Sequence, residues 1–386
     1  RAGLAQGFGR RADFRRSDGG AAMSARVLVA MSGGVDSSVA AAILREQGYD
    51  VVGVAMRLAP EPEHRRARTR GTCCSHEDFE DARRVAERME FPFYVIDLRA
   101  EFGARVVDNF VGEYLAGRTP NPCVMCNREI KFNRLWERAR ALDCEYVATG
   151  HYARIENDDT GRFHLLRATD TTKDQSYFLF SLSQPELSRT MFPLGAMTKT
   201  QVRRRARELG LATADKPESQ EICFVGDGDY AGFIERRAAR EALRPGRVVD
   251  ADGRELATHA GVHRFTIGQR RGLGIPSATP LYVREIHPDR GEIVVGPRDA
   301  LRSAGLIARE VSMVDASDCA GAPIQAEVKV RYRHPALPAT VTLDSARGAE
   351  VRFAGVGPAV TPGQACVFYR GDEVLGGGFI DRAIEG

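Results

Sequence analysis

Ser32, Gly33, Gly34, Val35, Asp36 and Ser37 stand between an apolar run, Val27 to Met31, and a segment from Val39 to Leu44 that reads as helix. Adjacent glycines permit positive φ and leave no Cβ between the loop amides and a ligand, and serines add hydroxyls beside a helix N-terminus. That combination is a phosphate cradle. No Gly-Lys-Ser/Thr follows, so it is not a Walker loop, and Asp36 occupies the place where a lysine is expected. An aspartate among phosphates points to a bridging Mg²⁺. A second constellation is made of sulfur. Cys126 follows a proline-rigid loop just ahead of a predicted helix, a place where the helix dipole favours a thiolate, and Cys223 stands far downstream in Ile222-Cys223-Phe224. Two separated thiols can divide sulfur chemistry, one carrying a persulfide and the other releasing it as a disulfide forms.

The elements that position these residues follow from pattern. Val27 to Met31 has the branched content of a parallel strand covered on both faces. Further strands are expected at Val51 to Leu58, Phe93 to Leu98 and Tyr146 to Thr149, and helices at Glu77 to Glu90, Glu101 to Ala116 and Asn127 to Ala141. Two prolines between Arg118 and Cys123 exclude helix there. The alternation predicts an α/β class, a doubly wound parallel sheet with its ligand at the carboxyl ends of the strands. Arg154 to Thr171 reads as a hairpin and Lys199 to Leu209 as a helix carrying Arg203, Arg204, Arg205 and Arg207, which suits either phosphate contact or a solvated face. The arginines between Pro60 and Gly71 have the same two readings. From about residue 240 short alternating strands take over, at Val262 to Ile267, Leu281 to Ile286, Glu292 to Val295, Ala326 to Tyr332, Ala339 to Leu343, Ala365 to Tyr369 and Gly376 to Ile380. Small antiparallel sheets or a barrel suit them.

The chain has 386 residues, enough for two or three cores, and a formal net charge of +3, too small by itself to argue for a nucleic-acid partner. No apolar run is long enough for a membrane span. Residues 1–22 are rich in Arg, Gly and Ala without a hydrophobic stretch, which predicts a disordered extension, with Met23 as a candidate start. Eight scattered cysteines in a chain of this size fit a reducing cytoplasm rather than a disulfide scaffold.

The Ser-Gly-Gly-Val-Asp-Ser run resembles the PP-loop of ATP pyrophosphatases, which split ATP between the α and β phosphates. Further motifs extend the likeness: Thr119-Pro120-Asn121-Pro122, Cys126 to Phe132, Thr149 to Ala153, Lys173 to Tyr177, Ile222-Cys223-Phe224, Ile267 to Gly274 and Arg331-Tyr332-Arg333. In this order they resemble the bacterial tRNA 2-thiouridylases from about Arg26 to the C-terminus. The resemblance implies a PP-loop catalytic domain of the adenine nucleotide α-hydrolase type at residues 23–215, a small central β-rich domain at 216–298 and a C-terminal β-barrel at 299–386. It implies an enzyme that adenylates and thiolates the wobble uridine of tRNAs for Lys, Glu and Gln, giving 2-thiouridine, AMP and pyrophosphate. ATP and Mg²⁺ would be used, with tRNA and a persulfide-donating relay protein as partners and the chain acting as a monomer.

By motif, Ala30, Met31, Ser32, Gly33, Gly34, Val35, Asp36 and Ser37 would bind ATP, with Met56 and Gly150 beside the adenosine. Cys223 would carry the persulfide and Cys126 would be the second catalytic thiol. Asn121, Pro122 and Cys123 would lie at the target base, and His151, Lys173, Asp174, Gln175, Arg331, Tyr332 and Gln364 would contact tRNA.

Several relatives have an aspartate where this chain has Cys123. The change creates a Cys-x-x-Cys, and Cys123, Cys126 and Cys223 together suit three ligands of a 4Fe-4S cluster with one open iron. That route and the persulfide route both remain open at the level of sequence. Zinc is disfavoured because no second pair lies at finger spacing, and a thioredoxin-like role because the pair does not follow a first βαβ strand. Cys73, Cys74, Cys144, Cys319 and Cys366 read as small core hydrophobes. A PP-loop ligase of a small acid, without RNA, explains the loop but not the cysteine contexts or the β-rich half, and a silent tRNA-binding protein leaves the intact loop and thiols unexplained.

Overall fold

The computed structural model describes residues 24–58, 76–217, 222–225, 228–315, 317, 322–344 and 346–385. The expected N-terminal extension, the arginine-bearing segment before Gly71, Cys73, Cys74 and Cys319 lie outside the described residues.

The first half of the chain supplies strands Arg26–Ala30 (β1), Asp50–Arg57 (β2), Phe93–Asp97 (β3), Tyr146–Ala148 (β4), Ala153–Asn157 (β5), Phe163–Arg167 (β6) and Thr190–Met191 (β7). Five form a sheet in the order β3-β2-β1-β4-β7, and every pairing is parallel. Alternating side chains of β1 feed two cores. Val27 and Val29 pack under the Val35–Glu46, His76–Arg88 and Lys199–Glu208 helices, while Leu28 faces Phe102, Ile130 and Leu135 on the opposite side. Strand order reverses between β1 and β4, which puts the topological switch point at their carboxyl ends.

A smaller sheet follows, built from Gly246–Val249 (β8), Glu255–His259 (β9), Tyr282–His287 (β10) and Glu292–Gly296 (β11) in the order β10-β11-β8-β9. The last unit contains Ser303–Met313 (β12), Ile324–Lys329 (β13), Leu337–Leu343 (β14), Ala349–Gly357 (β15), Ala365–Arg370 (β16) and Glu373–Ile384 (β17). They run β12-β15-β14-β13-β16-β17, and β12 pairs with β17 to close a barrel without free edges. The β5–β6 hairpin belongs to this sheet, because Leu165 and Leu166 of β6 pair with Val374 and Glu373 of β17.

Two expectations need correction. Helix begins at Pro122, not at Asn127, because Asn121 serves as N-cap and proline is tolerated in the first turn, where its missing N–H is no loss. Val262 to Ile267 is not a strand: Val262–Arg264 forms a 3₁₀ turn, and Val262, Phe265 and Ile267 pack into the core of the β8–β11 sheet.

Candidate active site

The phosphate loop leaves β1 at Met31 and enters the Val35–Glu46 helix. Ser37 organises it. Its hydroxyl accepts the Ser32 amide at 3.1 Å and donates to the Gly34 carbonyl at 3.2 Å, while the Ser38 hydroxyl donates to the same carbonyl at 2.9 Å. Gly34, the N-cap, offers no side chain to the first-turn amides, which leaves them for an anion. Gly33 has φ +70, and a Cβ there would run into the Asp78 carbonyl. Gly150 closes the loop from β4: a Cβ at this position would lie 2.8 Å from the Ser37 nitrogen.

The Asp36 carboxylate is not solitary. Lys199 Nζ donates to its Oδ1 at 2.8 Å and Oδ2 at 2.7 Å, and the Tyr152 hydroxyl donates to Oδ1 at 2.8 Å. Thr198 caps the helix that starts with Lys199, through a capping box with Gln201, so the lysine stem leaves from a fixed first turn. A second lysine braces the loop from behind. Lys216 Nζ donates to Gly33 O at 3.0 Å, Asp78 Oδ1 at 2.6 Å and Asp81 Oδ2 at 2.7 Å. Burial works against the Lys216 charge, yet its bonds to Asp78 and Asp81 outweigh burial and hold its pKa above the ordinary value. The sequence reading had no role for either lysine. The capping pattern located the helix start at Lys199, but contacts spanning 163 and 183 residues leave no local signal.

On the other face of the sheet the helical run Pro122–Met125, Cys126–Lys131 and Phe132–Ala141 carries the sulfur residues. Its middle segment is π-helical and starts at Cys126, an irregularity found often at functional sites. Cys126 therefore lies in the second turn, not just ahead of the helix, and is only 6% exposed. Cys123, in the first turn, is exposed. Cys126 belongs to an apolar cluster with Leu28, Val54 and Ile130, and Cys223, Ala30, Met56 and Met125 pack against that cluster. The strand ends expected beside ATP and both expected sulfur residues thus share one wall. Among the described residues no group of three or more His, Cys, Asp or Glu side chains is arranged to hold a metal ion.

The residues expected at RNA divide in two. Lys173 is half-buried, and Arg333 is exposed beside the half-buried Arg331 and Tyr332. Asp174 is buried, with Oδ1 accepting the Ala168 and Ser176 amides and Oδ2 the Ser176 hydroxyl, and Gln175 Oε1 accepts the Tyr152 amide. His151 Nδ1 lies 2.7 Å from Thr149 Oγ1, and its ring packs near Phe132 and Phe192. Burial, and then the Lys131 charge, push the His151 imidazole well below its ordinary value. Tyr332 packs on Phe178 with ring centres 4.5 Å apart. Arg331 donates to Ile267 O and Thr361 Oγ1. Gln364 reaches Thr119 and Pro120. Asn121 caps the sulfur-bearing helix through the Val124 amide. Arg203, Arg205 and Arg207 all have internal partners, on Ala214 O, Glu46 and Asp215, which favours a structural surface for that helix over phosphate contact.

A glycine-turn anion cradle at the switch point of a parallel sheet, with an aspartate held by a lysine and a tyrosine hydroxyl, defines a PP-loop nucleotide enzyme. Comparison with known proteins refines the class. Residues 25–227 match a family described as "tRNA methyl transferase HUP domain", residues 231–297 a "tRNA methyl transferase PRC-barrel domain" and residues 303–380 an "Aminomethyltransferase beta-barrel domain". The chain is 51% identical to a tRNA-specific 2-thiouridylase MnmA of Geobacter metallireducens over 93% of this chain and 97% of that one. MnmA proteins of Solibacter usitatus and Clostridioides difficile are 50% and 43% identical, each covered over 99% of its length by 92% and 94% of this chain respectively. The chain belongs to the tRNA-specific 2-thiouridylase MnmA family. A solved 4-thiouridine synthetase–RNA complex with bound ATP is similar at a TM-score of 0.34 and 16% identity, over 55% of this chain and 50% of that one, too weak an overlap to bear on the site.

Proposed function

We propose that the chain activates the C2 oxygen of a tRNA wobble uridine with ATP and replaces it with sulfur taken from a cysteine persulfide. The observation that carries this reading is the shared wall: Ala30 and Met56, at the ends of β1 and β2, pack with Cys126 and Cys223 in a single apolar cluster. A PP-loop ligase of a small acid has no use for two thiols there, and methyl transfer has no use for a phosphate cradle.

A carbonyl oxygen is a poor leaving group, and adenylation turns it into AMP. The uridine O2 attacks the α phosphorus, and pyrophosphate departs against the Ser32–Ser37 amides, with Lys199 supplying positive charge beside Asp36. Asp36 would hold Mg²⁺, which when bound neutralises phosphate charge; its oxygens already accept from Lys199 and Tyr152, so the ion would share the carboxylate with Lys199 or displace it. The outer sulfur of a Cys223 persulfide then attacks C2 and AMP leaves. The Cys126 thiolate attacks Cys223 Sγ, the inner S–S bond breaks with its electron pair going to the sulfur on C2, and a Cys126–Cys223 disulfide remains. A two-electron dithiol reductant restores both thiols. The target uridine must leave its stack to reach a site walled by Asn121, Pro122 and Cys123. The tRNAs for Lys, Glu and Gln, a persulfide relay protein as donor, and action as a monomer in the cytoplasm complete the reading.

The test is to trap the activated RNA. With Cys223→Ser and unmodified transcript, [α-³²P]ATP should label the tRNA and release pyrophosphate without 2-thiouridine. Release of inorganic phosphate and ADP instead would rule out adenylation.

A further inference from the structure

The backbone from Gly117 to Asn121 is gripped by all three folded units. Gly117 abuts Ile286 of β10, and Thr119 Oγ1 donates to Thr266 Oγ1 at 3.1 Å. The barrel contributes most. The Thr119 amide donates to Pro362 O at 2.8 Å, and Gln364 Nε2 donates to Thr119 O at 2.9 Å and Pro120 O at 3.2 Å. Gly363 between them has φ +88, and a Cβ there would stand 3.0 Å from the Thr119 backbone, so only glycine allows this approach.

The chemistry explains why a glutamine stands there. Pro120 and Pro122 have no N–H and hold φ fixed, so this loop cannot fold back into a turn that satisfies its own carbonyls. Two adjacent carbonyls need donors, and a side-chain amide has two N–H bonds on one nitrogen. The next residue, Asn121, caps the helix that carries Cys123 and Cys126. Gln364 is itself held: its carbonyl accepts the Ile380 amide and its amide donates to Thr361 O. Thr361 also receives Arg331, whose second contact, Ile267 O, belongs to the central unit.

We propose that Gln364 is a positioning residue. From the barrel it fixes the Thr119 and Pro120 carbonyls, and with them the start of the sulfur-bearing helix, before any RNA is bound. The consequence for rate rests on the thiolation reading above; the positioning itself does not.

The experiment uses the full chain without RNA and two near-isosteric variants, Gln364→Met and Gln364→Glu, neither of which can donate to the carbonyls. Hydrogen exchange is followed in the peptide spanning Thr119 to Cys126, and transcript affinity is measured separately by filter retention. Exchange at the Thr119 and Val124 amides should rise about tenfold in both variants, while transcript affinity changes by less than about threefold. Gly363→Ala, which presses on the same backbone from the barrel side, should open the same amides. Unchanged exchange in all three variants, with transcript affinity lowered tenfold or more by the Gln364 changes, would overturn the proposal and make Gln364 an RNA ligand. If wild-type protein fails to thiolate, the functional reading fails while the exchange result still decides the positioning.

Discussion

On the proposed reading Asp36 lies beside the triphosphate, and Lys199 sets a cation next to it, anchored at the first turn of a helix and bonded to both Asp36 oxygens. Lys199→Met should lower single-turnover pyrophosphate release by about 100-fold, with a smaller loss in ATP affinity, since the charge it answers grows as the leaving group departs. Equal loss in both would make the lysine a ground-state binder. His151 makes a different prediction. Its folded pKa is depressed by burial and then by Lys131, so below the unfolded value of about 6.5 the unfolded chain binds more protons than the folded one. Stability from this residue is intact above that pH and should fall as pH drops, by up to about 1.4 kcal/mol per unit. Urea titrations of wild type and His151→Asn between pH 7 and 5 should show a steeper decline for wild type. Parallel declines would contradict the assignment.

Elements set the tolerances of the site. Gly150 lies so close to the Ser37 nitrogen that Gly150→Ala must displace the phosphate loop, and ATP affinity should fall at least tenfold while the fold persists; calorimetric titration with ATP reads this directly. Asn121→Ala removes the cap of the Pro122–Met125 turn and should cost about 1 kcal/mol in stability, with faster alkylation of Cys126 as the visible sign. At this scale the sequence was legible where a local rule applied. Strand β1, the glycine turn and the following helix carry their own periodicity and turn chemistry. Strand β12 does not: Glu310 has φ +52, the pairings with β15 and β17 shift register, and alternation is broken. The helix start at Pro122 was hidden because proline's exclusion from helix interiors does not extend to a first turn capped by Asn121.

The assembled molecule adds what no local pattern carries. The β5–β6 hairpin leaves the catalytic unit to extend the barrel sheet, and buried Glu113 accepts from Arg118 at 2.6 and 2.8 Å and from Arg309 of β12 at 3.2 Å. Burial raises the Glu113 pKa, but the two guanidinium partners outweigh it and leave the carboxyl below its ordinary value. Its contribution to stability is therefore present above the unfolded carboxylate pKa and lost as pH falls through the lower folded value. Glu113→Gln should destabilise the chain by about 1–2 kcal/mol at pH 7, a figure kept low because both arginines are about one-third exposed; the difference should shrink in acid, and a constant difference in denaturant midpoint would argue against it. Lys199 and Lys216 escaped sequence reading for one reason: each acts on a loop far away in the chain. The glycine turn between β1 and the following helix was legible because its turn chemistry is written in adjacent residues.

Whether the phosphate cradle and the thiol pair act on one uridine is decided by single-turnover formation of 2-thiouridine on an unmodified tRNA transcript, with metal-stripped protein, ATP, Mg²⁺ and a persulfide donor. One 2-thiouridine and one AMP should form per enzyme, followed by a Cys126–Cys223 disulfide. Product that forms only after iron and sulfide are restored anaerobically would rule out the persulfide route, and no product under either condition would rule out thiolation by this chain.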